Sequence, residues 1–135
     1  MIICGFPGIG KSYLSNRDHV VDLDSSNCSK TKEFPINYVD KIEQLDKEGH
    51  TVFCSTHNLV LDELEKRKIN SLLVYPSKED KDIYLNRYQI RGNTKEFIDL
   101  VDSNWELWLT ALLERETNSF KHVILDRNQY LSDYI

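Results

Sequence analysis

The sequence predicts an α/β domain built on a five-stranded parallel sheet with helices on both faces. Two observations predict it. Short apolar runs of strand length alternate along the chain with segments of helical periodicity. Polar and glycine residues follow these runs, at the edge where ligands gather in parallel sheets. A chain of 135 residues buries one core, so we predict a single domain over residues 1–135.

Five strands and at least five helices follow from the pattern of apolar residues. The predicted strands are 2–4, 19–24, 51–56, 71–76 and 122–126. The predicted helices are 11–16, 36–49, 59–68, 77–91 and 95–116, and residues 129–135 form a short closing helix or tail. Gly49 is a helix stop, and Ser77 is a helix N-cap with Asp80 three residues on.

The longest predicted helix has an apolar stripe with both tryptophans in it. The stripe consists of Phe97, Val101, Trp105, Trp108 and Leu112. This spacing places the side chains on one face of the helix. We predict that the stripe belongs to the core and is not a platform for a cofactor or a base.

Composition bounds the compartment and the partners. The formal net charge is −5, which gives no general attraction to nucleic acid or to anionic membranes. No apolar run approaches the ~20 residues that a membrane helix needs, and no signal peptide is expected. The three cysteines, Cys4, Cys28 and Cys54, are odd in number and not closely paired, which favours a reducing cytoplasm over a disulfide framework. Oligomeric state is not predicted.

Residues 5–12, GFPGIGKS, match the pattern G-x-x-x-x-G-K-[ST] between a strand and a helix. Glycines allow backbone N–H groups to converge on phosphate oxygens, and the following helix start adds a partial positive charge. In such a loop Lys11 bridges the β- and γ-phosphates, and the Ser12 hydroxyl binds Mg²⁺. The motif predicts a nucleoside triphosphate site with ATP and Mg²⁺ as its cofactors.

Asp22 and Asp24 end the second predicted strand. Side chains alternate along a strand, so the two carboxylates share one face. They suit Mg²⁺ or a substrate hydroxyl that needs orienting or deprotonating. The third strand ends in Ser55 and His57 without an acidic residue, so the metal role passes to Ser12 and the aspartates. Ser55 and His57 are predicted to orient the substrate, and His57 is alternatively a loop histidine with a structural hydrogen bond.

Arg87 and Arg91 lie one helical turn apart, just before Gly92 and Asn93. Arginines at this spacing can stabilise charge on a transferring phosphate, and the flexible end suits a very short closing lid near 87–95. Arg67 is predicted to help hold a substrate anion. The alternative for these arginines is a solvated helix face with charge pairs at i,i+4.

These residues together resemble a small P-loop kinase of the nucleoside monophosphate kinase-like superfamily. VVDLD resembles shikimate kinases, VFCSTHNLVLDELEKR resembles gluconate and polynucleotide kinases, and the paired arginines before GN resemble the lid arginines of nucleotide kinases. The whole chain is most similar to compact nucleotide kinase-like proteins encoded by tailed phages, which would place it in a host cytoplasm. The resemblance implies a P-loop NTPase three-layer sandwich with strand order 2-3-1-4-5.

The resemblance also implies roles for named residues. The triphosphate would be held by Gly8, Ile9, Gly10, Lys11, Ser12 and Tyr13. Asp22 would hold the metal and Asp24 would touch the acceptor, or the reverse. The catalytic set would be Lys11, Asp24, Arg87 and Arg91. Ser55, His57 and Arg67 would face the acceptor. Residues 126–129, DRNQ, would lie near the adenine.

The predicted function is ATP·Mg²⁺-dependent phosphoryl transfer to a small acceptor, first of all a nucleoside or deoxynucleoside monophosphate. Arg67, Arg87, Arg91 and Lys66 supply cations for an acceptor phosphate. Three alternatives stay open. The acceptor could be a polynucleotide 5′-hydroxyl, the one contact with nucleic acid that is expected, or another hydroxylated small molecule. The protein could also be a non-kinase NTP-binding switch or NTPase. The short lid and the lack of an acidic residue after the third strand favour the NTPase or switch. Shikimate kinases place a pair of glycines after that strand, and the absence of this pair here disfavours shikimate as the acceptor.

Overall fold

The fold is taken from a computed structural model that describes residues 1–14, 17–23, 33–115 and 118–134, without the side chains of residues 12, 13 and 134. The strands are β1 Ile2–Gly5, β2 Val20–Leu23, β3 Thr51–Cys54, β4 Ser71–Pro76 and β5 Phe120–Leu125. The helices are α1 Lys11–Leu14, α2 Ile36–Lys47, α3 Asn58–Lys66, α4 Lys81–Ile90, α5 Lys95–Leu113 and α6 Leu131–Tyr134, and a 3₁₀ turn occupies Lys78–Asp80.

The five strands form one parallel sheet in the order β2-β3-β1-β4-β5. This confirms the predicted α/β class, the parallel sheet and the strand order. β1 lies at the centre, with Cys4 opposite Cys54 of β3 and Gly5 opposite Val74 of β4. The chain that leaves β1 therefore starts in the middle of the carboxyl edge, with β3 on one side and β4 on the other.

More helices pack on one face of the sheet than on the other. Parallel crossovers are right-handed, so the step from β1 to β2 places α1 on the face opposite to α2, α3 and α5. The helix contacts agree, because α1 packs on α6 whereas α2 packs on α3 and α4 packs on α5. One core joins the layers, and the predicted stripe belongs to it: Val101, Trp105 and Leu112 are buried, and Phe97 and Trp108 pack against them.

Several element ends differ from the prediction for local reasons. His19 has φ 65°, so β2 begins one residue later than predicted, and Lys68 has φ 57°, which stops α3 after Lys66. A side chain at positive φ is outside both strand and helix geometry. Ser77 accepts a hydrogen bond from the N–H of Glu79 at 3.4 Å and caps the 3₁₀ turn, so the predicted helix 77–91 splits there. Gly49, at φ 91°, follows α2 as expected.

Within the described residues, no helix combines the length and apolar character that crossing a membrane requires.

Candidate phosphate-binding site

The segment between β1 and α1 turns tightly enough to need its glycines. Gly8 has φ 90° and Gly10 has φ 102°, a region that residues with a Cβ rarely adopt. Lys11 is only 8% exposed, and its Nζ donates a 2.8 Å hydrogen bond to the carbonyl of Gly5, the first residue of the loop. The lysine therefore reaches back across the loop, and its positive charge lies where the loop starts.

Three consecutive carbonyls of the loop accept hydrogen bonds from elsewhere in the fold. The Tyr88 hydroxyl donates to Pro7 O at 2.8 Å, and Arg87 Nη1 donates to Gly8 O at 3.0 Å. The N–H of Leu131 donates to Ile9 O at 2.8 Å. The donors come from α4 and from the start of α6. The C=O of one residue and the N–H of the next point in opposite directions across a trans peptide. These contacts therefore fix the direction of the N–H groups of residues 8–10.

Three tyrosine rings lie close to the glycines of the loop. A Cβ on Gly8 would lie 2.9 Å from the ring of Tyr88 and 3.2 Å from the ring of Tyr84. A Cβ on Gly10 would lie 3.3 Å from the ring of Tyr130. Gly8 and Gly10 thus serve two purposes, since they allow positive φ and leave room for three tyrosine rings. Burial raises the pKa of the Tyr88 hydroxyl, which keeps it protonated as a donor.

Arg87 lies between two of these rings. Its guanidinium carbon is 4.4 Å from the ring centroid of Tyr84 and 3.9 Å from that of Tyr130, and Nη2 reaches the carbonyl of Gln129 at 3.5 Å. Both faces of the planar guanidinium are covered, while its edge donates to two carbonyls. Stacking on rings while donating to two carbonyls requires the planar, forked guanidinium of arginine, which lysine lacks.

The segment after β5 is joined to α4 a second time. Arg127 Nη2 donates to Asp82 at 3.0 Å, and its Nη1 lies 3.6 Å from the buried carboxylate of Asp80. The ion pair with Arg127 lowers the pKa of Asp82. Residues 126–129, which the resemblance associates with adenine, therefore lie beside α4 and next to the loop.

Arg91 contrasts with Arg87. It is exposed, and its guanidinium carbon is 5.7 Å from the ring of Tyr88. Across the described ranges its guanidinium makes no ion pair. The segment after it is short, because α4 ends at Ile90, Gly92 has φ 82° and α5 begins at Lys95 with Thr94 as its N-cap. Arg91 therefore keeps a charged group at the end of α4, beyond the loop contacts.

The acidic side of the site is described only in part. Asp22 lies on β2 opposite Phe53 of β3, near enough to Cys54 to act on the pKa of its thiol, as Lys11 also does. Asp24 falls outside the described residues, as do the side chains of Ser12 and Tyr13, so their predicted roles stay predictions. Among the described residues, the site included, no three acidic, histidine or cysteine side chains form a metal cluster.

Cys4 and Cys54 form a buried thiol pair beneath the loop, which the sequence analysis missed. Their Sγ atoms are 3.2 Å apart, and both thiols are free. The hydrogen bond with Cys4 and burial raise the pKa of Cys54 well above its usual value. Both cysteines lie within predicted strands, but only the register of β1 with β3 sets them side by side.

Ser55 and His57 shape the start of α3. The Ser55 hydroxyl accepts from the N–H of His57 at 3.3 Å, and His57 Nδ1 accepts from the N–H of Leu59 at 3.2 Å as a helix N-cap. An Nδ1 that accepts cannot carry the proton of the neutral ring, so the neutral ring holds it at Nε2. The ring also lies edge-on to Phe34 at 5.4 Å. The geometry favours the structural alternative for His57.

Arg67 is surrounded by carboxylates. Its Nε donates to Glu63 at 2.7 Å, and Nη1 lies 2.8 Å from Asp40 and 3.5 Å from Glu43. The hydrogen bond with Glu63 raises the pKa of Arg67 further. Arg67 is 19% exposed and joins α3 to α2. Three carboxylates already neutralise it, so this placement gives no support to a substrate-anion role.

No protein-family model, no curated protein and no solved structure matches this chain.

Proposed function

We propose that the chain is an ATP·Mg²⁺-dependent phosphotransferase with the P-loop NTPase fold, in which residues 5–12 hold the triphosphate. One observation carries the proposal: the motif residues form a tight loop at the centre of the sheet edge, with Gly8 and Gly10 at positive φ and Lys11 Nζ 2.8 Å from Gly5 O. A triphosphate offers that ammonium a stronger partner than a neutral carbonyl, because hydrogen bonds between two charged groups are the stronger ones.

Mg²⁺ fits the residues that surround this loop. In phosphoryl-transfer sites the ion keeps several waters and takes one or two protein oxygens besides the phosphates. Asp22 supplies a carboxylate on β2, and β3 alone separates β2 from β1; Ser12 follows Lys11 in the first turn of α1. These two residues would hold the ion. When bound, Mg²⁺ neutralises charge that develops on the β- and γ-phosphates.

The acceptor that we propose is a nucleoside or deoxynucleoside monophosphate. One of its phosphate oxygens forms a bond to the γ-phosphorus while the bond to the β–γ bridging oxygen breaks, which gives ADP and a diphosphate. The bond-forming oxygen is already deprotonated, so this transfer needs no base. That suits an edge where His57 Nδ1 is occupied as a helix cap. Arg91, exposed at the end of α4, is the cation that we assign to the acceptor phosphate.

A second candidate, an NTPase or NTP-binding switch, is favoured by one specific observation. Two of the four cations assigned to the acceptor phosphate already have internal partners. Arg67 is held by three carboxylates, and Arg87 is held by two carbonyls between two rings. A protein that hydrolyses its nucleotide, or only binds it, needs no second set of phosphate ligands.

The test mixes the protein with Mg²⁺, γ-labelled ATP and a panel of acceptors. The panel holds each NMP and dNMP, gluconate, shikimate and a 5′-hydroxyl oligonucleotide, with a no-acceptor control and a Lys11→Ala control. Label on a nucleoside monophosphate supports the proposal. Label on another acceptor keeps the transfer reaction and replaces the acceptor. Free phosphate alone supports the second candidate, and label release that Lys11→Ala leaves unchanged rules out the loop as the site.

A further inference from the structure

We propose that Arg87 is a positioning residue, which holds the phosphate loop from outside in the shape that binds the triphosphate. This role differs from the lid role that its spacing predicts, and it rests on the proposed function. Its basis is the set of contacts between α4 and the loop. Tyr84, Arg87 and Tyr88 lie at i, i+3 and i+4, so one face of α4 presents all three to residues 7–10.

The first step concerns the loop peptides. Pro7 O, Gly8 O and Ile9 O each have a donor on the outer side, from Tyr88, Arg87 and Leu131. A glycine-rich loop has many accessible conformations, and each of these hydrogen bonds removes some of them. Of the two donors on α4, Arg87 also touches the segment after β5, through Gln129 O and the ring of Tyr130. It therefore joins the loop, α4 and that segment at one point.

The second step concerns the arginine itself. Its two donated hydrogen bonds and the two covering rings leave the guanidinium partly buried in a fixed orientation. For Arg87 to reach a phosphate inside the loop, it would have to leave both rings and release Gly8 O. Within the described residues, Arg91, one turn further and exposed, makes only a distant contact with the ring of Tyr88, at 5.7 Å. The two arginines that look equivalent in sequence therefore have different roles.

The test begins without nucleotide. Arg87→Lys keeps the charge but loses the stacked plane, and Arg87→Met loses both. Lys81→Ala is the matched control, since it removes an ion pair between α4 and Asp102 of α5 without touching the loop. We expect the ¹³C carbonyl resonance of Gly8 to move in both Arg87 variants and to stay in place in Lys81→Ala and Arg91→Ala.

The second measurement is the dissociation constant for Mg·ATP as a function of salt. Both Arg87 variants should bind on the order of tenfold more weakly, because a misplaced loop loses several contacts at once. The dependence of the dissociation constant on salt should stay that of the wild type, since no charge contact with phosphate is removed. A flatter salt dependence with an unmoved Gly8 resonance would assign Arg87 to the phosphate itself and overturn the inference. Equal effects in Lys81→Ala would overturn it too.

Failure of this inference is separable from failure of the proposed function. If the wild type binds Mg·ATP, Lys11→Ala loses it and the Arg87 variants bind normally, only the positioning role is wrong. If the wild type itself binds no Mg·ATP, the proposed function fails and the positioning role fails with it.

Discussion

The two halves of the carboxyl edge of the sheet differ in what their charged side chains bind. On the half formed by β1 and β4, Arg87 and Lys11 bind carbonyls of the loop itself. On the half formed by β2 and β3, Arg67 binds carboxylates of α2 and α3, and His57 caps α3. Charge is thus directed to the loop on one half and to joining helices on the other. Under the proposed function the first half holds the nucleotide and is the nucleotide half, and the second is the acceptor half, where Arg67 and His57 already have partners within the protein.

The largest expected effect is on the nucleotide half. Lys11→Ala should lower the transfer rate by at least about 10²–10³-fold, as loss of a single charge-stabilising donor does in other enzymes. The rate of label transfer from γ-labelled ATP measures it, and circular dichroism checks the fold. A Lys11→Ala protein that transfers at the wild-type rate would remove the distinction between the two halves.

A pair of glycines tests how closely α4 is fitted to the loop. Gly8 and Gly49 have nearly the same φ, 90° and 91°, but a Cβ on Gly49 would meet nothing within 4 Å, whereas one on Gly8 would meet two rings. Gly49→Ala should cost about 1 kcal/mol of unfolding free energy from backbone strain alone. Gly8→Ala should cost roughly 1–3 kcal/mol more, because Tyr84 and Tyr88 must move.

Urea unfolding of both glycine variants gives these free energies. Equal costs at the two positions would mean that α4 does not press on the loop.

Two neighbouring cations, Arg67 and Lys66, test whether Arg67 on the acceptor half is a structural residue. Arg67→Met leaves Glu63, Asp40 and Glu43 without their shared cation and should lower the unfolding free energy by about 2 kcal/mol. Lys66→Met, one residue away and exposed, should change it by less than about 0.5 kcal/mol. Urea unfolding measures stability, and the KM for the acceptor measures function.

The expected result is a stability loss confined to Arg67→Met, with an unchanged KM for the acceptor in both variants. If Arg67→Met keeps full stability and raises the KM for the acceptor, Arg67 is a substrate ligand after all.

The smallest effect is a pH dependence on the nucleotide half. Burial raises the pKa of Tyr88 above the ordinary value of 10.0. The unfolded chain releases this proton near pH 10 while the folded chain keeps it, so stability falls as the pH rises above about 10. The slope for one such tyrosine is up to about 1.4 kcal/mol per pH unit. Tyr88→Phe should show a correspondingly shallower loss of unfolding free energy between about pH 10 and 11.5. An unchanged slope would mean that Tyr88 is not protected.

The fold was largely predictable, and the partners of the charged side chains were not. Hydrophobic periodicity located all five strands, because burial of a strand on both faces leaves a strong apolar pattern. The order of the strands is the one that the resemblance implies. Spacing places Arg87 and Arg91 on one helix face, but it does not say that one meets Gly8 O and the other meets none of the described carboxylates. Likewise Arg67 reaches α2, and Cys4 reaches Cys54, only through tertiary packing.

The most direct test of the account is a titration of ¹⁵N-labelled protein with Mg·ATP, followed by the amide signals of its positive-φ glycines. Gly8 and Gly10 lie in the loop, whereas Gly49 and Gly92 follow α2 and α4. The account predicts large shifts of the Gly8 and Gly10 signals that saturate with ATP, an unmoved Gly49 signal, and no shift of the loop signals in Lys11→Ala. Loop signals that stay in place at millimolar Mg·ATP would contradict it.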